Sequence, residues 1–542
     1  MPGRTLYVAI AAALGITGSA FADGRIDGKV TAADGATNLE GARVRIEELD
    51  RTVRTTRDGR FTLGNVPAGS YNIVVEYMGA APTQQSVTVR DQAISDVGIT
   101  MGRSVDEIIV RGTRSGTASS LNKQRTADNT VSVISADAIG ALPDTNVAEA
   151  LQRVPGVFLE RDQGEGRYIG IRGIDPNLNV TTINGLLVPA PDSGARSVAL
   201  DVIPSDLLEG LEVAKTFTPD MEASAIGGSV NVRSLSAFDR NGRSMTMTAD
   251  ASDNGLVEQT SPKLAITYTD TYDMSNSTKF GIAFGASWFD RDFGSDNIET
   301  DGGWPDDLEL VSGGEFKGAE EIEQRSYDVN RERIGVALNL DWRTETSNYY
   351  VRNLYSQFAD QEFRTRNEFK FDDGEAVSGN ATSALWDDAV VEKSMKDRLE
   401  EQNILSTTIG GENFFEAWTI DYSLGYSMSE ELEPGRLDTT FEIEDVDIGY
   451  ASIGQIPNLT TDPAMADAAN YELAEFEYLD GDAEDIATTL KLNFTYDLFS
   501  DAYNGNIKFG VLSRTREKTY DGEVFIYDGD GSTLTQFATS GP

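Results

Sequence analysis

WTIDYSLGYSM, residues 418–428, has two unlike faces. Side chains alternate sides along an extended chain, so Trp418, Ile420, Tyr422, Leu424, Tyr426 and Met428 share one face, and Thr419, Asp421, Ser423, Gly425 and Ser427 share the other. Three more runs repeat the pattern. Phe280, Ile282, Phe284, Ala286 and Trp288 alternate with Gly281, Ala283, Gly285 and Ser287. Ile334, Val336, Leu338, Leu340 and Trp342 alternate with Arg333, Gly335, Ala337, Asn339 and Asp341, and Leu490, Leu492, Phe494, Tyr496 and Leu498 with Lys491, Asn493, Thr495 and Asp497. Each run is about 9–11 residues, the length of a tilted strand crossing a bilayer. Trp288, Trp342, Trp418 and Phe499 stand at or near strand ends, where an interfacial aromatic girdle belongs.

A soluble sandwich alternates as well, and connection lengths separate the two. Chain ending near Trp342 and Phe499 turns back within about half a dozen residues, as periplasmic turns do. After Trp288 and Met428 come polar stretches of roughly 40–60 residues, far beyond ordinary loops. Much of the acid lies there, in residues 301–323 and 430–484. Residues 240–542 are therefore expected to form the first part of a large antiparallel transmembrane β-barrel. Roughly ten to twelve strands fit, against about 22 in plugged outer-membrane transporters. The end at Ala538-Thr539-Ser540-Gly541-Pro542 also lacks a terminal aromatic, and an open sheet edge is intolerable in lipid. The expectation is an incomplete barrel.

Composition narrows the function. Lys and Arg number 45 against 89 Asp and Glu, a formal charge of −44, which repels nucleic acid and excludes it as a partner. The 542 residues contain no Cys and no His. Disulfides, thiolate metal sites, cysteine nucleophiles, most zinc centres and imidazole bases are thereby absent. No catalytic residue, metal ligand or cofactor is expected, and paired carboxylates acting on glycosides are the enzymatic chemistry left open.

At the N-terminus Arg4, the apolar residues 6–16 and the small-x-small triplet Ala20-Phe21-Ala22 form a secretory signal, residues 1–22. The apolar run is about half of the ~20 residues a spanning helix needs. The protein is expected to be exported, to the outer membrane of a Gram-negative cell.

Residues 24–102 read as a small β-sandwich. The segments 42–46 and 71–77 alternate with period two, and Asp34-Gly35, Asp58-Gly59 and Pro67-Ala68-Gly69 supply turns. The strings DGKVTAADGATNLEGARVRI and TTRDGRFTLGNVPAGSYNIVVEYMG resemble the carboxypeptidase-regulatory-like domain, a prealbumin-type sandwich. Residues 103–129 follow. Val105-Asp106-Glu107-Ile108-Ile109-Val110-Arg111-Gly112 is a β-prone octapeptide, and the Ser-, Thr-, Ala- and Arg-rich stretch from 113 to 129 reads as a flexible linker. Such an octapeptide suits pairing with another sheet's edge, and it resembles the TonB box. The sandwich's last strand is the alternative, and the plug-like segment that follows weighs against it.

Residues 130–236 are mixed α/β. Asp144 is placed to cap a helix carrying Val147, Leu151 and Val154 on one face, ended by Pro155-Gly156. Asn184-Gly185 signals a tight hairpin, and Ser205 can cap a short helix before the strand from Leu211 to Lys215. A last strand enters through Gly227-Gly228. The strings LPDTNVAEALQRVPGV, YIGIRGIDPNLNVTTINGLLV, LDVIPSDLLEGLEVAKT and IGGSVNVRS resemble, in order and spacing, the plug of TonB-dependent outer-membrane receptors.

The resemblance implies a mainly β receptor whose plug fills a barrel and whose octapeptide recruits the TonB-type energy-coupling protein. It implies plug-structural roles for Arg172, Gly173, Asn184, Gly185, Gly227 and Gly228. It also implies active import of a scarce small-molecule ligand, an oligosaccharide or a ferric siderophore. A signal-transducing receptor, a passive pore or adhesin, and a surface glycosidase are the other readings. Tyr450, Trp304 and Trp386 in the long polar segments read as loop packing, with stacking on sugar rings or catechols as their other use. Asp528-Gly529-Asp530-Gly531-Ser532 reads as a turn.

Overall fold

The computed structural model describes residues 24–537 apart from 34, 36, 92, 103–112, 140–145, 240–241, 276–277, 301–302, 416, 452–455 and 501–502. The signal segment 1–22, the octapeptide 105–112 and Asp144 lie outside the described residues.

Seven strands build the N-terminal sandwich: β1 (Gly24–Thr31), β2 (Arg43–Ile46), β3 (Arg51–Arg54), β4 (Arg60–Val66), β5 (Gly69–Glu76), β6 (Thr83–Val89) and β7 (Ile94–Thr100). They form two sheets, β4-β1-β7 and β3-β2-β5-β6. Alternation puts Val44, Ile46, Ile73 and Val75 inward from one sheet, against Ile26, Val30, Leu63 and Ile99 from the other.

Next come α1 (Thr113–Thr126), β8 (Val131–Ser135), α2 (Ala136–Ile139), α3 (Val147–Leu151), β9 (Val157–Asp162), β10 (Glu165–Ile171), β11 (Val180–Ile183), β12 (Leu186–Leu187), β13 (Leu208–Ala214) and β14 (Ser229–Ser234). The main sheet runs β12-β11-β14-β13-β8, and β9 and β10 form a separate hairpin. Three expectations need correcting. The linker stretch is largely the helix α1: Ala118, Leu121, Lys123, Gln124 and Arg125 favour helix, and Ser120 and Asn122 are buried on its packed face. α3 is capped by Asn146, whose side chain accepts from the Glu149 amide, although Val147, Leu151 and Val154 share the buried face as expected. Ser205 opens a 3-10 turn, Ser205–Leu207, and Pro204 stands in the cap position.

The rest is one large antiparallel sheet. Its strands are β15 (Ser244–Asn254), β16 (Gln259–Ser275), β17 (Thr278–Glu299), β20 (Glu321–Arg343), β21 (Ser347–Lys370), β23 (Ser383–Phe415), β24 (Trp418–Ala451), β26 (Glu472–Ser500) and β27 (Tyr503–Asp528). The hairpin β18 (Leu308–Glu309)–β19 (Glu315–Phe316) lies between β17 and β20, β22 (Glu375–Asn380) pairs with β23, β25 (Asn458–Thr460) pairs with β24, and a short α4 (Leu534–Phe537) closes the described chain. At one end the connections are short, as between β20 and β21, where only 344–346 intervene. At the other end the polar stretches expected as loops are mostly strand: β23 has 33 residues and β24 has 34. Pairing continues past the apolar band, for example from Leu424↔Leu490 to Leu437↔Tyr478. No helix among the described residues is long and apolar enough to cross a membrane, which says nothing of crossing by strands.

Candidate functional site: the plug inside the barrel wall

Small residues on the polar faces of the barrel strands are where the α/β domain packs. A Cβ added at Gly335 would lie 2.7 Å from Leu207 and 2.8 Å from Pro204; one at Gly285 would lie 2.9 Å from Leu207. Gly281 faces Ala237 and Phe238, and Gly425 faces Leu186 in the same way. Only glycine leaves room for these four approaches. Apolar patches join the two bodies: Leu354, Phe358 and Ile404 of the wall complete the core around Leu200, Val202 and Ile203, and Ala283 of the wall packs with Leu235, Ala237 and Phe238.

Beside these apolar contacts stands a polar set. Glu165, at the start of β10, is buried and meets three wall arginines: Arg331 at 3.2 Å, Arg333 at 2.5 Å, and Arg291. Arg331 also pairs with Asp162 at 3.2 Å and with Asp360 of the wall at 2.7 Å. Arg333 donates to the Asp201 carbonyl at 2.9 Å. In the opposite sense, Arg167 reaches Glu400 of the wall at 2.6 Å. The wall's own charges tie in, since Arg398 pairs with Asp360, Glu362 and Glu400. Wall hydroxyls and amides take backbone carbonyls of the inner domain: Ser356 bonds Val202, Ser429 bonds Pro189 and Asn339 bonds Leu235. Buried charges of this kind persist only when paired.

Six residues expected to shape the plug lie in two tight places. Asn184 (φ 52°) and Gly185 (φ 80°) make the β11–β12 turn with both central residues left-handed, and Asn184 also bonds the Ser234 amide and hydroxyl. Arg172 (φ 58°) and Gly173 (φ 75°) turn the chain after β10, and the Arg172 guanidinium donates to the Gly227 carbonyl at 2.7 Å. A Cβ on Gly228 would meet Ile171 at 2.6 Å and the Ala214 carbonyl at 2.9 Å, while Gly227 faces Asn179 and Ile174.

The sandwich caps the short-turn end. Arg57 pairs with Asp239 and donates to the Ser234 carbonyl at 3.0 Å. Arg60 donates to the Thr344 carbonyl at 2.7 Å, and Arg343 pairs with Asp58 at 3.3 Å. Burial alone would raise the Asp58 carboxyl, but Arg343 and a hydrogen bond from Thr56 hold it below its ordinary value.

At the far end Phe316, Phe371, Trp386, Phe441, Tyr450 and Tyr471 form a buried core under the strand extensions. Trp386 stacks on Phe371 at 4.5 Å, and the Tyr450 hydroxyl accepts from the Ala319 amide. Trp304 meets Tyr450 edge-on at 5.5 Å. These aromatics pack the cap and leave no open platform at Trp386 or Tyr450, which are 3% and 1% exposed. Nearby, oxygens of Glu321, Glu323 and Glu368 lie within 4.8 Å of one another. Burial and the neighbouring Glu368 push the Glu321 carboxyl up to about 8. Arg366 pairs with both Glu323 and Glu368, so this group fits a shared proton better than a metal ion. The segment at Asp530 is a turn, its carboxylate accepting from the Ser532 amide with Gly531 at φ 79°.

Residues 123–229, which hold β8 to the start of β14, match the TonB-dependent receptor plug domain. The inner domain is a TonB-dependent receptor plug. Residues 25–102 match the carboxypeptidase regulatory-like domain, so the receptor carries that domain ahead of its plug. No curated protein matches the chain. Among solved structures, the unliganded ferric citrate transporter FecA is 11% identical over 78% of this chain and 85% of its own, with a TM-score of 0.27. BauA, the ferric preacinetobactin receptor from Acinetobacter baumannii, is 10% identical over 74% of this chain and 61% of its own, with a TM-score of 0.28. The copper transporter OprC is 9% identical over 73% and 59%, with a TM-score of 0.27.

The wall charges that grip the plug were legible only as a pattern. Arg331 and Arg333, Asp360 and Glu362, and Lys396, Arg398 and Glu400 recur at spacing two, hence on one strand face. A charged strand face that is buried signals a partner packed on that face.

Proposed function

We propose that this chain is the plug-bearing part of a receptor that actively imports a scarce nutrient, an oligosaccharide or a ferric siderophore-type ligand, across the outer membrane. Ligand binds on the far side of the plug. A periplasmic TonB-type protein then pairs with Val105, Asp106, Glu107, Ile108, Ile109, Val110, Arg111 and Gly112 as an added strand and pulls. The observation that carries this reading is the polar plug–wall contact centred on Glu165, Arg331 and Arg333. A permanent stopper is best held by apolar packing. A plug that must shift repeatedly inside an aqueous lumen is better held by charges, which water re-solvates when they part. Arg172, Gly173, Asn184, Gly185, Gly227 and Gly228 keep the plug in one shape under load.

The test is uptake by cells carrying the full-length gene, with and without Ile108→Pro, using ferric siderophores, cobalamin and several oligosaccharides. Proline removes one backbone donor from the coupling strand and leaves the barrel alone. Binding retained with import lost supports active transport. Import unaffected by the substitution turns the reading to a passive pore.

A further inference from the structure

The helix α1 is wedged between sandwich and plug by a charge cluster that belongs to neither alone. The Lys123 ammonium lies 2.9 Å from Glu40 of the sandwich and 3.4 Å from Glu209 of β13. Arg233 of β14 lies 3.2 Å from the same Glu40, 3.1 Å from Glu209 and 2.7 Å from Glu212. Glu40 is thus shared between a cation on the helix and a cation on the plug. Burial alone would raise its carboxyl, but Arg233 and Lys123 outweigh burial and hold it well below the usual range. The helix is pinned further by Asn122, which donates to the Glu40 carbonyl at 3.1 Å, and by Gln124, which donates to Val133 of β8. Lys123 and Arg233 are about one-tenth exposed, so water screens these contacts only in part.

The place of α1 in the chain gives the cluster its meaning. The segment 103–112 has β7 just before it and α1 just after it. β7 pairs with β1 along its whole length, from Ile94 to Thr100, so hydrogen bonds share a lengthwise pull. α1 is held by side-chain contacts that break one at a time. A load on 105–112 therefore extracts α1 first.

We propose that Lys123 is a positioning residue that makes α1 a load-triggered latch: drawing α1 out removes one of the two cations that Glu40 and Glu209 share, leaves Arg233 alone between them, and so loosens the β13–β14 end of the plug while the sandwich stays seated on the barrel rim. The seat is independent of Lys123, since Arg57, Arg60 and Asp58 reach Asp239, Thr344 and Arg343. The inference rests on the coupling role proposed above.

Optical tweezers can read the latch with no ligand and no coupling protein. These 542 residues hold no Cys, so Ile108→Cys in the full-length receptor, with any cysteine elsewhere in it replaced by serine and the protein held in lipid nanodiscs, gives a single attachment point for a DNA handle. The expected first event lengthens the tether by about 28 Å, the difference between extended and helical chain over the 14 residues of α1. With Lys123→Gln, this event at fixed load should come on the order of ten to a hundred times faster, and its dependence on salt should shrink. Lys123→Arg should keep both near wild type, and Lys317→Gln, far away on the exposed surface, should change neither. A first event of different length, or one indifferent to Lys123→Gln and, in the unsubstituted chain, to salt, overturns the latch. If Ile108→Pro leaves import intact while Lys123→Gln still speeds the rupture, the coupling role falls and the latch stands.

Discussion

Glu165→Gln should loosen the plug without unfolding the barrel. The carboxylate is buried and is approached by Arg291, Arg331 and Arg333 of the wall. Glutamine keeps the shape and removes the charge. Arg331 retains Asp360 at 2.7 Å and Asp162 at 3.2 Å, but Arg333 loses its close carboxylate contact at 2.5 Å and keeps the Asp201 carbonyl. Removing one partner of a buried ion pair costs about 3–5 kcal/mol. The compensation left to Arg331 argues for the lower end, about 3 kcal/mol, charged against docking of the β9–β10 hairpin. At ~1.4 kcal/mol per factor of ten, protection of β9 and β10 amides from hydrogen exchange should fall roughly a hundredfold. Protection in β23 and β24 should hardly change. Glu160→Gln, an exposed position on the same hairpin, is the control. If the two variants exchange alike, the ion pairs do not hold the plug and the reasoning fails.

Gly335→Val should cost about 1–3 kcal/mol, because its side chain enters the space of Leu207 and Pro204; Gly98→Val in the sandwich, with nothing within 4 Å of an added Cβ, should leave the melting temperature nearly unchanged, and equal shifts would refute the close approach. Trp386→Ala removes the centre of the aromatic cap and should cost that region about 3–5 kcal/mol. Trypsin should then cut faster after Lys317, next to Phe316, with barrel heat resistance intact; unchanged cleavage would count against a packed cap. The Glu321 carboxyl is raised to about 8, so its folded form binds a proton more tightly than the unfolded chain, whose value is near 4.5. Its stabilising effect is complete below pH 4.5 and fades as pH rises through 8. Glu321→Gln should therefore raise the melting temperature at pH 8 and not at pH 4, and a lower value at pH 8 would contradict the shared-proton account.

How much was legible depended on where water lies. At membrane depth lipid faces one side of each strand and plug the other, so Phe280 to Trp288 and Trp418 to Met428 carry clear period-two patterns. Beyond that depth both faces of many strands touch water or polar neighbours. The alternation fades, and stretches such as 430–443 read as loop although they are paired strand in β24. Asn184-Gly185 announced its turn because few residues tolerate that backbone. α1 stayed hidden because its buried positions, Ser120 and Asn122, are polar and its partners come from two other domains. Asn146 took the cap expected of Asp144, a shift of two residues of the kind propensity cannot settle.

The length of β24 sets how far the receptor stands from its membrane. Its 34 residues, at about 3.3 Å each and tilted roughly 40°, rise some 85 Å, against the ~30 Å of a hydrocarbon core. The longest strands of the wall therefore rise well beyond a hydrocarbon core, whereas β15, with 11 residues, does not. Anything bulky can meet the rim without touching the bilayer, and neighbouring copies would jostle at their rims before their lipid belts merged. The acidic surplus of the chain makes that crowd self-repelling and keeps each mouth open to the medium.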